Sequence, residues 1–206
     1  MMNTHDDVQS VSSNVLPLVD AIVIGASAGG VEALLRIFSP LAPGFRLPII
    51  VVLHLPEERR SRLASVFQQH LGMRVKEVAD KELINPGTLY FAAPGYHVSV
   101  ESDLSLSLSL EDRVHHSRPS IDILFESAAD AFGRRLAGVL LTGANADGAR
   151  GLAHIKQEGG FTVVQDPKTA QASIMPESAL ALSVPDRILA LSDIGQLLVE
   201  LERIAC

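Results

Sequence analysis

The chain has 206 residues, 47% of them hydrophobic and 20% charged, which is enough apolar material for one globular domain and too little length for two comfortable ones. Its formal charge of −7 argues against a nucleic-acid or anionic-membrane surface, since phosphate binding needs clustered Lys and Arg. A single cysteine, the terminal Cys206, excludes a disulfide within the chain and fits a reducing cytoplasm.

Residues 1–20, MMNTHDDVQSVSSNVLPLVD, carry acids but no Lys or Arg, unlike a secretory signal, and read as a mobile tail. No apolar run approaches the roughly 20 residues a membrane span needs. Ordered structure is predicted from AIVIG (21–25), a short β-branched run ended by glycine, the pattern of a buried parallel strand. Val31, Leu34, Leu35 and Phe38 then fall at helical spacing, and Pro40 and Pro43 stop the helix. PIIVVLH (48–54) is a second buried strand, followed by a helix marked by Leu63, Val66, Phe67 and Leu71. This β–α–β rhythm predicts a parallel sheet with right-handed crossovers.

The middle of the chain changes character. Short strands are predicted at 75–78 and 88–92, with Pro86-Gly87 turning into the second. YHVSVES (96–102) meets LSLSLSL (104–110) across Ser102-Asp103, and strict Leu/Ser alternation is a period-two pattern with one apolar face. Seven residues of two types also read as low-complexity linker, but the adjoining strand of matching length favours an antiparallel hairpin. From Pro119, placed at a first helical position, Ile121, Leu124, Phe125, Ala128, Ala129 and Phe132 form an apolar stripe. Strand GVLLTG (138–143), helix 148–158, strand FTVVQ (161–165), a strand near 188–191 and a helix from 193 to about 204 complete the domain. The fold class predicted is α/β: a doubly wound, mostly parallel sheet flanked by helices, with a hairpin near 96–110.

Three polar residues stand at strand ends: Ser27 after the first strand, His54 closing the second, and Asp147 just beyond GVLLTG. Sites in parallel α/β sheets form outside the carboxyl ends of the strands. A hydroxyl, an imidazole and a carboxylate there are the parts of an acyl-transfer triad. Serine is a poor nucleophile until a base takes its proton, and the base needs a carboxylate to fix its tautomer. Gly25-Ala26-Ser27-Ala28-Gly29-Gly30 is a tight turn of small residues into a helix, whose free N–H groups suit a developing oxyanion. Each residue also has a plainer reading. Ser27 could cap the helix after it, His54 could be a core histidine, and Asp147 could cap the helix that begins beyond Gly148. A dinucleotide-binding reading fits Gly25 and Gly30, but Ser27 replaces the central glycine and His54 stands where an acid is required. His5, His70 and His115-His116 offer no spacing for a structural zinc site, and Cys206 at the chain end lacks the electropositive setting of a nucleophilic thiol.

In combination these motifs resemble a known family. GASAGG (25–30), VLHLP (52–56), PGTLYFAAPGYH (86–97), HHSRPSID (115–122) and LLTGANADGARG (140–151) are similar, in that order, to the catalytic domain of the chemotaxis methylesterase CheB. The resemblance spans roughly residues 20–204. It implies Ser27 as nucleophile, His54 as general base and Asp147 as triad acid, with no cofactor. It also implies hydrolysis of glutamyl methyl esters on cytoplasmic chemoreceptor helices, releasing methanol, and deamidation of certain receptor glutamines. Ala28 stands where the family often has threonine, and Ala144 where it has methionine; both are the oxyanion or substrate-pocket candidates, Ala144 through its backbone N–H. Arg118 and Asp122 match the RPS-x-D segment, although a salt bridge or helix start accounts for them as well. The family normally carries a receiver domain ahead of the esterase. A receiver takes about 120 residues, so the expected organisation is a tail (1–20) and an esterase domain (21–206), as a stand-alone protein or an excised module. Two other readings stay open: an esterase or amidase for another substrate, and a signalling scaffold with reduced turnover.

Overall fold

Four strands of five or six residues are buried at every position: β1 (Ala21–Ala26), β2 (Ile49–Leu53), β8 (Leu136–Leu140) and β9 (Phe161–Gln165). Such strands must be covered on both faces, and the computed structural model, which describes residues 15–55 and 62–205, covers them with helices. Together with β3 (Arg74–Glu77), β5 (Thr88–Phe91) and β10 (Arg187–Leu189) they form a seven-stranded sheet in the order β10-β9-β8-β1-β2-β5-β3. Every pairing in it is parallel. The chain fills the β2 side of β1 first (β2, β5 and the edge strand β3) and the β8 side afterwards, so β1 lies at the switch point where α/β sheets open a crevice.

Alternation along the strands divides the core in two. Ile22, Ile24, Ile49, Val51 and Val139 pack with α1 (Gly30–Phe38), α2 (Leu63–His70) and α6 (Leu191–Ala205). Val23, Ile50, Val52 and Leu140 pack on the other face with α3 (Ile121–Phe132), α4 (Ala149–Gln157) and α5 (Ile174–Leu182). This second layer also receives a three-stranded antiparallel sheet, β4 (Glu82–Leu83), β7 (Ser105–Ser109) and β6 (His97–Val100), in that order. The Leu/Ser repeat is therefore a hairpin strand: Val100 pairs with Leu106 and Ser99 with Ser107.

Local differences from the sequence pattern have physical causes. Helix α1 buries Ala33, Leu34, Ile37 and Phe38 rather than Val31, which is exposed at the helix start. Pro119 lies one residue ahead of the cap position of α3 rather than inside its first turn, and Ser120 holds the extended cap conformation. Helix α5 has no counterpart in the sequence reading, because its nine residues bury little beyond Met175, Pro176 and Ala179 and leave a weak stripe. Packing also begins before Ala21. Leu16 lies against the core, Val19 is fully buried, and the Asp20 carboxylate pairs with the Arg135 guanidinium. Residues 16, 19 and 20, read from the sequence as tail, thus make contacts with the body of the domain. Residues 1–14, 56–61 (with Pro56 of the VLHLP motif) and Cys206 fall outside the described residues.

The crossing of α3 and α4 depends on a missing side chain. A Cβ on Gly151 would stand 2.6 Å from Phe125 Cβ and 3.0 Å from the Asp122 carbonyl oxygen. Gly151→Ala is therefore expected to cost about 1–3 kcal/mol, since backbone cannot yield as a side-chain tip can; a fall in the urea midpoint with unchanged slope would register it.

Candidate active site

Parallel register brings Ser27 and His54 side by side. Ala26 pairs with Leu53, the His54 N–H continues the ladder to the Ala26 carbonyl at 3.0 Å, and Ser27 and His54 follow at the carboxyl ends of β1 and β2. On the other side of β1, the Ser27 N–H donates to the Thr142 carbonyl at 2.9 Å, which ties the serine turn to the end of β8. Thr142 Oγ1 donates to the Ala28 carbonyl and accepts from the Ala172 N–H, each at 2.9 Å. Gln165 Oε1 in turn accepts the Thr142 N–H at 2.9 Å. The turn is thus held from two strands while its side chains stay clear. Gly29, at φ 78°, supplies the left-handed residue that starts α1, and the Ser27 hydroxyl makes no capping bond to that helix.

His54 Nε2 lies 2.9 Å from Asp147 Oδ2. Asp147 is fully buried, and burial alone would push its carboxyl up. Hydrogen bonds from His54 and from the N–H groups of Asp122 and Ile121 outweigh that and hold it below the usual carboxylate range. An ionised carboxylate only accepts, so Nε2 of His54 carries the proton and Nδ1 holds the lone pair. Asn145 Nδ2 stands 3.5 Å from Nδ1, at the outer limit of a hydrogen bond, while Asn145 Oδ1 accepts the Asp147 N–H at 3.2 Å. The expected Ser27–His54 hydrogen bond is not formed: among the described residues the serine hydroxyl has no partner. Catalytic hydrogen bonds are often long before substrate enters.

Asp147 does not cap α4, the helix that follows it. Its carboxylate turns back to α3, where it accepts the N–H of Ile121 at 2.8 Å and of Asp122 at 3.0 Å, and the Ser120 hydroxyl at 2.9 Å. Asp122 returns the favour to α4, accepting the N–H groups of Gly148 at 2.9 Å and Gly151 at 2.8 Å. Each helix start is capped by an aspartate belonging to the other, and each carboxylate lies at the positive end of a helix dipole. Gly148 at φ 91° makes the reversal possible. Asp122 also meets Arg150 at 3.3 Å and His115 at 3.5 Å, so both plain readings of that residue, ion pair and helix start, hold. Behind Ser120, the fully buried His97 accepts the Ser120 N–H at Nδ1 and lies 3.1 Å from the Asp112 carbonyl at Nε2. Both bonds require the neutral ring, with its proton on Nε2.

Ala28 and Ala144 are both exposed at the rim, and the N–H of neither has a protein partner among the described residues. The Gly143 N–H, by contrast, is spent on the Ala172 carbonyl at 3.0 Å. Sequence reasoning missed Asn145, Ser120, Thr142 and His97. Asn145 lies within the quoted acid loop and two residues from Asp147, which is a signal that could have found it; the other three depend on long-range geometry. Among the described residues no group of three or more His, Cys, Asp or Glu is arranged to hold a metal, and no helix is long and apolar enough to cross a membrane.

A switch-point crevice with a serine, a histidine and a buried carboxylate beyond the carboxyl ends of three adjacent strands defines an α/β protein with the parts of a serine hydrolase. The CheB methylesterase family model matches residues 22–198, and the chain belongs to that family. A Leptospira interrogans protein is 42% identical over 184 residues, which are 89% of this chain and 95% of that one. A protein-glutamate methylesterase/protein-glutamine glutaminase of Caulobacter vibrioides is 36% identical over 189 residues, 90% of this chain but 55% of its own length. The crystal structure of the Thermotoga maritima CheB methylesterase catalytic domain superposes with a TM-score of 0.83 at 30% identity, covering 91% of this chain and 100% of that one.

Proposed function

We propose that this chain is a protein-glutamate methylesterase of the cytoplasm. It hydrolyses γ-glutamyl methyl esters on the helices of chemoreceptors and deamidates glutamines at equivalent positions. The observation that carries the reading is the bond from His54 to the ionised, buried Asp147 beside an uncommitted serine hydroxyl. Relatives named for both activities add the substrate class.

In this mechanism Ser27 Oγ attacks the ester carbonyl as its proton passes to His54 Nδ1, the nitrogen left basic by the Nε2–Asp147 bond. Asp147 stays ionised and stabilises the imidazolium. The N–H groups of Ala28 and Ala144 receive the oxyanion of the tetrahedral intermediate. Its collapse breaks the C–O bond to methanol, which takes the proton from His54 and leaves an acyl-serine. Water, deprotonated by His54, attacks the acyl-serine and releases the glutamate carboxylate and Ser27. With glutamine the leaving group is ammonia instead.

The test is methanol release from methylated receptor membranes, together with active-site labelling by a fluorophosphonate. The expected result is stoichiometric labelling of Ser27 and loss of label in His54→Ala. Methanol release without labelling at Ser27 would assign the nucleophile elsewhere.

A further inference from the structure

Beside His54 two arginines reach the wall of a cleft. Two adjoining clefts of 280 and 290 Å³ open there, the first walled by His54, Leu55, His116 and Ser117 and the second by Ala92, Pro94 and Gly95. Arg113, Arg118 and Pro119 line both, and among the described residues neither cleft has an Asp or Glu in its wall. Arg118 thus brings a guanidinium to the wall next to His54 in a chain of net charge −7.

Two features indicate that the site is built for an anion. Arg118 is held by the loop it ends: Nη1 donates to the Leu110 and Glu111 carbonyls, each at 3.0 Å. A fixed guanidinium loses little freedom on binding. Its Nε is buried and has no hydrogen-bond partner among the described residues, a rare condition for a buried donor. The second feature is backbone strain. His115 and His116 both hold the left-handed conformation, at φ 48° and 64°, in a turn closed by Val114 and Ser117. Residues other than glycine seldom adopt this, and two in succession persist only where surrounding contacts enforce them. Here His115 is drawn inward to Asp122, which leaves His116 in the cleft wall.

We propose that Arg118 and His116 form a carboxylate subsite that selects substrates carrying an unmodified acidic residue one helical turn from the reacting glutamyl ester. Residues three or four apart on a helix lie about 5–6 Å from each other, so an ester at Ser27 places such a neighbour over the wall next to His54. The proposal rests on the esterase reading of the Ser27 site. It makes unmodified glutamates part of what the protein recognises, so that neighbouring sites on one receptor helix are not independent.

The experiment uses two helical peptides, each with one γ-methyl glutamate, flanked one turn away on both sides by Glu or by Gln. Methanol release is expected to show a kcat/KM about tenfold higher for the Glu-flanked peptide, the size of one charge-assisted hydrogen bond. That ratio should shrink as salt rises and fall toward one in Arg118→Gln. His116→Asn, whose side chain tolerates the left-handed backbone and so preserves the turn, should lower the ratio as well. Equal rates on the two peptides, or a preference that survives both substitutions, would overturn the subsite. Binding of the same fluorescent peptides to Ser27→Ala separates the two readings. Preference for the Glu-flanked peptide without turnover in the parent chain upholds the subsite and removes the esterase, while turnover without preference does the reverse.

Discussion

Ser27→Ala is expected to lower methanol release by roughly 10⁴-fold or more, because deleting the nucleophile leaves only binding and oxyanion contacts to act on the ester. The unfolding midpoint should barely move. The Ser27 side chain makes no hydrogen bond among the described residues, and its structural bonds, N–H to Thr142 and carbonyl from the Gly30 N–H at 2.8 Å, are backbone bonds that alanine keeps. A change within about 0.5 kcal/mol is the ordinary range for such a site. His54→Ala should cost nearly as much activity, and the double variant little more than either single one, since the groups act as a unit. Kinetics with Ser27→Ala retaining a substantial fraction of the rate would refute the mechanism.

Asp147→Asn is expected to damage both rate and fold. The rate should fall roughly 10²–10⁴-fold, less than for the serine, because His54 loses its orientation and charge partner but the nucleophile remains. Stability should fall by about 2 kcal/mol, since an amide nitrogen then faces donors from Ser120, Ile121, Asp122 or His54. The pH dependence follows from the direction of the Asp147 shift. Its carboxyl is held below the ordinary range when folded, so its contribution to stability is present above the unfolded value of about 3.9 and is lost as pH falls through the lower folded value. Wild type and Asp147→Asn should therefore differ most near neutral pH and converge on strong acidification. Urea melts at neutral pH and in strong acid would show this, and a gap that widened in acid would contradict the assignment.

The sheet was legible because buried parallel strands write themselves as short β-branched runs, and those runs mark their own carboxyl ends. That is why Ser27, His54 and Asp147 could be picked out together. The hairpin was legible for a similar reason, as Leu106 and Leu108 alternate with serines on a sheet packed on one face. What the sequence could not carry was the direction of a carboxylate. Asp147 sits one residue before the Gly148 cap position of α4, so local pattern points it at α4; only the left-handed Gly148 and the approach of α3 turn it the other way. Asn145 stood in view two residues before Asp147, but its contact with His54, across 91 positions, did not. Helix α5 left too weak a stripe to see, although Glu177 in its first turn and the Met175/Ala179 spacing were available as signals.

The exchange of caps between α3 and α4 also bears on how activity is inferred across related chains. Under the proposed mechanism Ser27 answers only to chemistry, and a lineage that abandons turnover can discard it without penalty. Asp147 answers to the architecture too: a descendant with no catalytic duty would still need a carboxylate at that place to close the start of α3. The aspartate will therefore outlast the reaction it serves. Its presence in a sequence testifies to the scaffold, and the serine and histidine are the witnesses to an enzyme.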